Sequence, residues 1–303
     1  MKIAVIGSVK FSEDILIKLI ELKQNIVGVC TKSSSKFNSD HEDLSKICNS
    51  YNIPVIQTKD INQKIVVDWF RVRVPDVVFC CGWSQIIKRP MLNVPTYGII
   101  GYHPTLLPAN RGRHPIIWTL ALGLKETGST FFLMDDKIDE GAIISQVKIN
   151  VSSDDNAQSL YNKITLVACN QLQGILSGLK DNKILITKQN INSSNFWRKR
   201  TDLDGMIDWR MSSETIYNLV RALSKPYPGA YALGKNQSKI IIWKVQVNND
   251  NHTNFEPGKI IDITNDNLIV KTSDSSIRII NANYNLRHII KNKYEYFSDI
   301  STS

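Results

Sequence analysis

Residues 1–30, MKIAVIGSVKFSEDILIKLIELKQNIVGVC, decide the fold. Residues 2–6 (KIAVI) and 25–30 (NIVGVC) are β-branched runs, and between them Ile15, Leu16, Leu19, Ile20 and Leu22 fall at helical spacing. That pattern is a β-α-β unit. The alternation continues outward, with a helix predicted over 41–50, a strand over 53–56, a helix through Ile61, Ile65, Val66, Trp69 and Phe70, and the strand DVVFCC over 76–81. Further strands are predicted at 97–102 (YGIIGY), 128–134 (GSTFFLM) and 142–149. A helix carrying Ile116, Ile117, Trp118, Leu120 and Leu122 separates the first two, and a long helix over 156–178 follows the third. Strands alternating with helices through right-handed crossovers have few compact solutions. The expected fold class is therefore α/β, a doubly wound and mostly parallel sheet.

The segment 188–206 is rich in Asn, Ser and charge and reads as a linker. It divides an N-terminal catalytic domain, 1–187, from a smaller β-rich, OB-like domain, 207–303. In the latter a helix is predicted over 213–223, then the turn-forming KPYPGAY (225–231), then short strands at 239–247, 257–263, 267–272 and 276–281. Turns such as Pro257-Gly258 and Asn265, Asp266 and Asn267 separate them, which suits a small barrel or open sheet.

With 303 residues and 42% hydrophobic content the chain can fill a real core. The apolar run at the N-terminus ends at Gly7, too brief for an export signal, and no apolar run approaches the length of a membrane span. A soluble, cytoplasmic protein with no membrane partner is expected. The five cysteines (Cys30, Cys48, Cys80, Cys81, Cys169) are odd in number, lack CxxC spacing and sit in apolar runs, so they read as reduced core residues and no metal is expected. A net charge of +9 favours an anionic partner such as a nucleotide, a phosphorylated metabolite or tRNA, and charge alone does not choose among them.

Ligands of open α/β sheets bind beyond the carboxyl ends of strands. Two stretches meet that condition: Gly101-Tyr102-His103-Pro104-Thr105-Leu106-Leu107-Pro108, which presents one imidazole, and Met134-Asp135-Asp136-Lys137-Ile138-Asp139-Glu140-Gly141, an acidic loop. Pairing strands can bring His103 and Asp139 within hydrogen-bond reach, and a coupled imidazole and carboxylate shuttles protons near neutral pH. The loop Gly7-Ser8-Val9-Lys10, between a strand and a helix, can approach an anion with backbone N–H donors.

HPTLLPANRGRHP (103–115) followed by TGSTFFLMDDKIDEG (127–141) resembles the N10-formyltetrahydrofolate-dependent formyltransferases, which include the methionyl-tRNA, glycinamide ribonucleotide and sugar N-formyltransferases. RKRTDLDGMIDW (198–209) and RALSKPYPGAY (221–231) are similar to the start of the second domain in the tRNA and sugar branches. The resemblance implies formyl transfer from N10-formyltetrahydrofolate to a primary amine, with His103 as acid or base and Asp139 orienting it. One departure stands out: the family pattern Asn-x-His, whose asparagine stabilises an oxyanion, has Gly101 here. Protonated His103, the Asn110 side chain or a water are the candidate replacements.

By the same resemblance the folate lies along Gly82, Trp83 and Ser84 and within Met134, Asp135, Asp136 and Lys137. Trp83 is open to two readings, a wall for the ring or core packing, and Ile86 and Ile87 to a second one as the apolar face of the next helix. Ser8, Lys10, Arg111, Arg113, Arg221, Lys225 and Tyr227 are expected to grip a diphosphate and stack a base. The variant RGRHPIIW with KPYPGAY is more similar to the branch acting on nucleotide-linked amino sugars, including pseudaminic-acid-type pathways of surface polysaccharide synthesis, than to the tRNA branch. The loop TKSSSKFNSDHED (31–43) also lacks a long basic insertion. A nucleotide-sugar acceptor is expected, with methionyl-tRNA, a folate-binding protein without catalysis and a hydrolase releasing formate as the alternatives. Sugar formyltransferases often dimerise, so a homodimer is a further expectation.

Overall fold

A computed structural model describes residues 1–34, 39–263, 268–284, 290 and 294–301. Part of the 31–43 loop and the turn expected at Asn265, Asp266 and Asn267 lie outside the described residues. The chain divides into two compact units, the first comprising 1–115, 126–150 and 162–198, the second 116–125, 151–161 and 199–303.

The first unit begins with β1 (Lys2–Ile6), α1 (Lys10–Glu21), β2 (Asn25–Thr31), α2 (Ser45–Ser50), β3 (Val55–Gln57), α3 (Lys64–Arg71) and β4 (Val77–Cys80). A single turn, α4 (Arg89–Leu92), then leads to β5 (Ile99–His103) and the two-residue β6 (Arg111–Gly112). After α5 (Pro115–Ala121), which from Ile116 on belongs to the second unit, come β7 (Glu126–Leu133), β8 (Ile143–Asn150), the long α6 (Ala157–Lys180), assigned to the first unit from Asn162 on, and β9 (Phe196–Trp197). The seven-stranded sheet has the order β3-β2-β1-β4-β5-β7-β8. Its first five strands are parallel, while β7 and β8 are antiparallel to their neighbours. The sheet is thus mixed at one end, because periodicity gives a strand's faces but not its direction.

Both faces are covered, as a doubly wound sheet requires. On one side Ala4, Ile6, Val78 and Ile99 pack with Val66, Val67 and Phe70 of α3. On the other, Phe11 of α1 lies against Tyr102 at 4.4 Å between ring centroids, and the Cys169 thiol of α6 faces the Asp14 carbonyl of α1. Ile15, Leu16 and Leu19 of α1 are fully buried, each contributing roughly 1.5–3 kcal/mol by removal from water.

In the second unit α7 (Ser213–Ala222) starts at Ser212, whose side chain accepts the Thr215 N–H as an N-cap. The strands β10 (Ala230–Leu233), β11 (Lys239–Asn248), β12 (Ile260–Ile263), β13 (Leu268–Lys271) and β14 (Ser276–Ala282) form an antiparallel sheet of order β10-β11-β14-β13-β12. Strand β10 falls in what the sequence presents as the end of a turn. No helix among the described residues is long and apolar enough to cross a membrane.

Candidate active site

Side chains alternate along a strand, so Ile99, Gly101 and His103 of β5 share one face. His103 is 4% exposed. Its Nε2 lies 2.8 Å from the carbonyl oxygen of Asn110. A carbonyl only accepts, so Nε2 carries a hydrogen and donates it, and in the neutral ring the lone pair is on Nδ1. Nδ1 stands 3.7 Å from Oδ2 of Asp139. The sequence-predicted pair is therefore brought together, but at a spacing longer than a hydrogen bond and too short for an intervening water. A proton arriving at Nδ1 would sit directly against the carboxylate.

Asp139 reaches this position by an unexpected route. Because β7 is antiparallel, it leaves the sheet at the amino end of β5: Leu133 pairs with Ile100, and the Met134 N–H donates to the Ile99 carbonyl at 2.8 Å. The acidic loop is thus not beyond the carboxyl end of a parallel strand, as the sequence suggests, and must fold back to meet His103. Gly141 permits the return, since a Cβ there would lie 1.6 Å from the Leu133 carbonyl oxygen. Asp139 itself has φ +56°, a region uncommon for residues other than glycine.

The carboxylate is fixed by the backbone of Gly112, whose N–H donates to Asp139 Oδ2 at 3.0 Å. Gly112 has φ +102°, and a Cβ would come within 2.3 Å of the Trp197 carbonyl oxygen. That contact follows from the pairing of Arg111 and Gly112 with Phe196 and Trp197. The segment 188–206, expected to be a linker, thus supplies a strand to the site. It also supplies Asn195, whose Oδ1 accepts the Asn110 N–H at 2.6 Å and whose Nδ2 donates to Asn110 Oδ1 at 3.0 Å. This exchange orients the Asn110 amide and leaves its Nδ2 without a partner among the described residues.

At Gly101 an added Cβ would lie 2.8 Å from Met134 Cγ and 2.9 Å from the Phe132 ring. The space is filled from the side.

The loop that follows His103 is held by polar side chains from the next two strands of the sheet. Thr127 Oγ1 donates to the Pro104 carbonyl at 2.9 Å, Thr130 Oγ1 to the Thr105 carbonyl at 2.6 Å, and Gln146 Nε2 to the Leu107 carbonyl at 2.9 Å. Gly128 lets the loop approach, because its Cβ would fall 2.7 Å from the Thr105 carbonyl oxygen. The two sequence motifs are the two halves of one contact.

Of the residues expected to meet folate, Trp83 packs against the α3-side core, with Lys32 Nζ 4.3 Å from the ring centroid, and its buried Nε1 has no hydrogen-bond partner among the described residues. Gly82 has φ +69° and abuts Val9, and the Ser84 carbonyl accepts from Arg113 Nη1 at 3.2 Å. Ile86 and Ile87 are not on a helix: both precede α4, Ile86 exposed and Ile87 buried. Asp136 pairs with Arg89 at 2.6 Å, which ties the 134–141 loop to the stretch after β4. Met134 packs on the same core, Asp135 accepts the Lys137 N–H at 2.9 Å, and Lys137 Nζ lies 3.3 Å from Glu140.

The expected anion-gripping residues fare differently. The start of α1 is covered by the 40–42 segment: the Lys10 N–H donates to the Asp40 carbonyl, and the Ser8 carbonyl accepts from Glu42 N and His41 Nδ1. Lys10 Nζ turns to Glu13 and Asp14 at 2.6 and 2.9 Å. Ser8 is 1% exposed, and its Oγ has no hydrogen-bond partner among the described residues. Arg111 is buried, with Nε and Nη2 on Gln189 Oε1 at 3.3 and 2.8 Å and Nη1 3.4 Å from Glu140. Lys10 and Arg111 thus both face carboxylates of the chain, Arg111 from a buried position and Lys10 from an exposed one, and Arg113 is exposed as well. In the second unit Arg221 is also buried and spends Nη1 on the carbonyls of Ser152, Ser153 and Asp155 and Nε on Asn218. With Tyr217, Trp243 and Lys244 it lines a cavity in that unit. Lys225 Nζ lies 5.9 Å from the Trp243 ring, and the Tyr227 N–H donates to the Ser224 carbonyl. Among the described residues no group of three or more His, Cys, Asp or Glu is arranged to hold a metal ion.

Sequence reasoning missed Gly112, Gln189 and Asn195. The one signal was the glycine set between two arginines; nothing local marks the other two.

Residues 1–173 match the formyl transferase family and residues 199–291 the formyl transferase C-terminal domain. The chain is 35% identical over 243 residues to the bifunctional polymyxin resistance protein ArnA of Wigglesworthia glossinidia brevipalpis, covering 80% of this chain and 36% of that protein. It thus spans about a third of that relative's length. The fold is similar to WlaRD, a sugar 3N-formyl transferase crystallised with dTDP and 5-N-formyl-THF (TM-score 0.70, 20% identity, 93% of this chain and 98% of that one). It is equally similar to the N-formyltransferase of Helicobacter canadensis in complex with folinic acid and dTDP-3-aminofucose (TM-score 0.70, 19% identity, 93% and 99%). At these identities the likeness is one of fold. On the two matches that together take in most of its length, the chain belongs to the formyl transferase family.

Proposed function

We propose that this chain transfers a formyl group from N10-formyltetrahydrofolate to the primary amine of a nucleotide-linked amino sugar. The observation that carries the reading is the buried pair of His103 and Asp139, with Nε2 pinned to a carbonyl and Nδ1 facing a carboxylate at 3.7 Å. An amine becomes an amide only by losing a proton, and Nδ1 is the nitrogen free to take it. Asp139, anchored by the Gly112 N–H, favours the ring once that proton has arrived.

The residues after β4 and β7 fit a folate. Trp83 offers a buried indole N–H that lacks an acceptor, Ile86 is exposed beside it in sequence, and the Arg89–Asp136 pair brings the two stretches together. When bound, folate supplies the formyl carbon and the nitrogen that departs from it. Trp83, Ile86 and Met134 would hold the ring, and Gly82, Ser84 and residues 135–137 would offer backbone groups. Of the donors able to replace a side chain at position 101, the Asn110 Nδ2 is the one left oriented and unpaired by its exchange with Asn195. Arg113, exposed directly after Gly112 and facing no carboxylate among the described residues, is the cation of the expected set in the first unit offered to the acceptor's phosphates.

The test is incubation of the protein with N10-formyltetrahydrofolate and, separately, a panel of nucleotide-linked amino sugars and methionyl-tRNA, read by mass spectrometry for a gained formyl group. A sugar nucleotide should gain it, and His103→Ala should lower kcat by about 100- to 10,000-fold. Formyl gain by methionyl-tRNA alone would overturn the acceptor; formate release without any amine, or folate binding without transfer, would overturn the transferase reading.

A further inference from the structure

We propose that Gln189 is a positioning residue of the reaction, a clamp whose single amide fixes both the backbone of Asp139 and the strand that anchors the Asp139 carboxylate. The inference rests on the transferase reading above.

Both ends of the Gln189 amide are used in full. Oε1 accepts from Arg111 Nε and Nη2 at 3.3 and 2.8 Å, while Nε2 donates to the carbonyls of Asp139 and Gly141 at 2.8 and 2.7 Å. A guanidinium only donates and a carbonyl only accepts, so the flipped amide would lose all four bonds. The carbonyls it grips lie on either side of Glu140, in a loop where Asp139 holds φ +56°. Such a conformation persists where its surroundings over-determine it.

The other arm of the clamp reaches Arg111, which is 4% exposed and directly precedes Gly112. Gly112 is the donor to Asp139 Oδ2. Gln189 therefore links the main chain of Asp139 to the strand whose N–H holds its side chain, and the 3.7 Å spacing between Asp139 and His103 is set by both. The bridge between Ile143 and Thr187, with N–H to carbonyl bonds of 2.8 and 2.9 Å, anchors the clamp two residues away. Gln189 touches none of the reacting atoms, so its effect has to pass through Asp139.

Two variants separate this role from simple support. Gln189→Ala removes every bond, whereas Gln189→Glu keeps acceptors for Arg111 and turns an oxygen toward the carbonyls of Asp139 and Gly141. Both should lower kcat by roughly 10- to 100-fold while each substrate's KM stays within about threefold, because geometry and not uniform binding is lost. The pH profile of kcat should change in both. Hydrogen exchange of the free proteins, read by mass spectrometry, should accelerate in the peptide covering 134–142 in both variants, in the one covering 110–113 in Gln189→Ala as well, and not elsewhere. A kcat within about threefold of wild type in Gln189→Glu, or a loss that tracks the fraction of unfolded protein with exchange faster throughout, would overturn the proposal. A wild-type protein unable to transfer formyl would overturn the transferase reading and the catalytic role together, while local exchange in the same peptide would still report whether the clamp exists.

Discussion

At position 101 the chain has no side chain, and its surroundings leave no room for one. Met134 and Phe132 press to within 3 Å of where a Cβ would be, so restoring the family's asparagine is not a simple gain of a donor. Gly101→Asn and Gly101→Ala should each cost about 1–3 kcal/mol through overpacking, measured by urea denaturation, and neither should raise kcat. A faster Gly101→Asn enzyme of unchanged stability would show that the pocket can yield and that the missing donor limits the rate. His103 and Asp139 stood out in the sequence because each lies at or beyond the end of a β run whose neighbours match a family pattern. The place of Arg111 did not, since an arginine beside a catalytic loop looks like a hand for substrate until its burial against Gln189 is known. Asn110 and Asn195 lie 85 residues apart in sequence, and no local pattern joins them.

Among the elements, the β5 to β7 contact explains why HPTLLP and TGST occur together. Thr130 is fully buried, donates to the Thr105 carbonyl and accepts from Gln146 Nε2 at 3.0 Å. Thr130→Val keeps the shape and leaves the Thr105 carbonyl without its side-chain donor, at a cost of roughly 1–3 kcal/mol, while Gln146 Nε2 keeps the Leu107 carbonyl. The His103 loop should loosen with it, so kcat should fall at temperatures well below the melting transition; an unaltered kcat would mean the loop is held by Thr127 and Gln146 alone. The β-branched runs gave the parallel strands of the sheet to within two residues at each end. They did not give the direction of β7 and β8, nor the two-residue strands β6 and β9, which exist only as a pair. The loop 83–88 misled for a related reason: Ile86 and Ile87 resemble a helical face, yet the chain there is not helical, and one is exposed and the other buried.

The whole molecule carries an organisation that composition does not announce. Residues 116–125 and 151–161 belong to the same compact unit as 199–303, whereas a sequence is divided most naturally at a single polar stretch. Its five cysteines bear on the stability of the whole chain. Cys30, Cys48, Cys80 and Cys81 are buried, and Cys169 is partly so. Burial pushes Cys30, Cys48 and Cys80 up to about 12 and Cys169 to about 11, and raises Cys81 as well. The sign follows directly: above the ordinary thiol range the unfolded chain releases protons that the folded chain keeps, so stability is intact below pH 8 and falls as pH rises through 9 and beyond. The slope approaches about 1.4 kcal/mol per pH unit for each such thiol. Urea midpoints should therefore be level between pH 7 and 8 and decline between pH 9 and 10.5, and Cys80→Ala should lessen the decline. At pH 8 a thiol reagent should reach Cys169 before the other four, which should react only on the timescale of unfolding; rapid native-state labelling of Cys80 or Cys81 would mean that the sheet core opens far more readily than its packing implies.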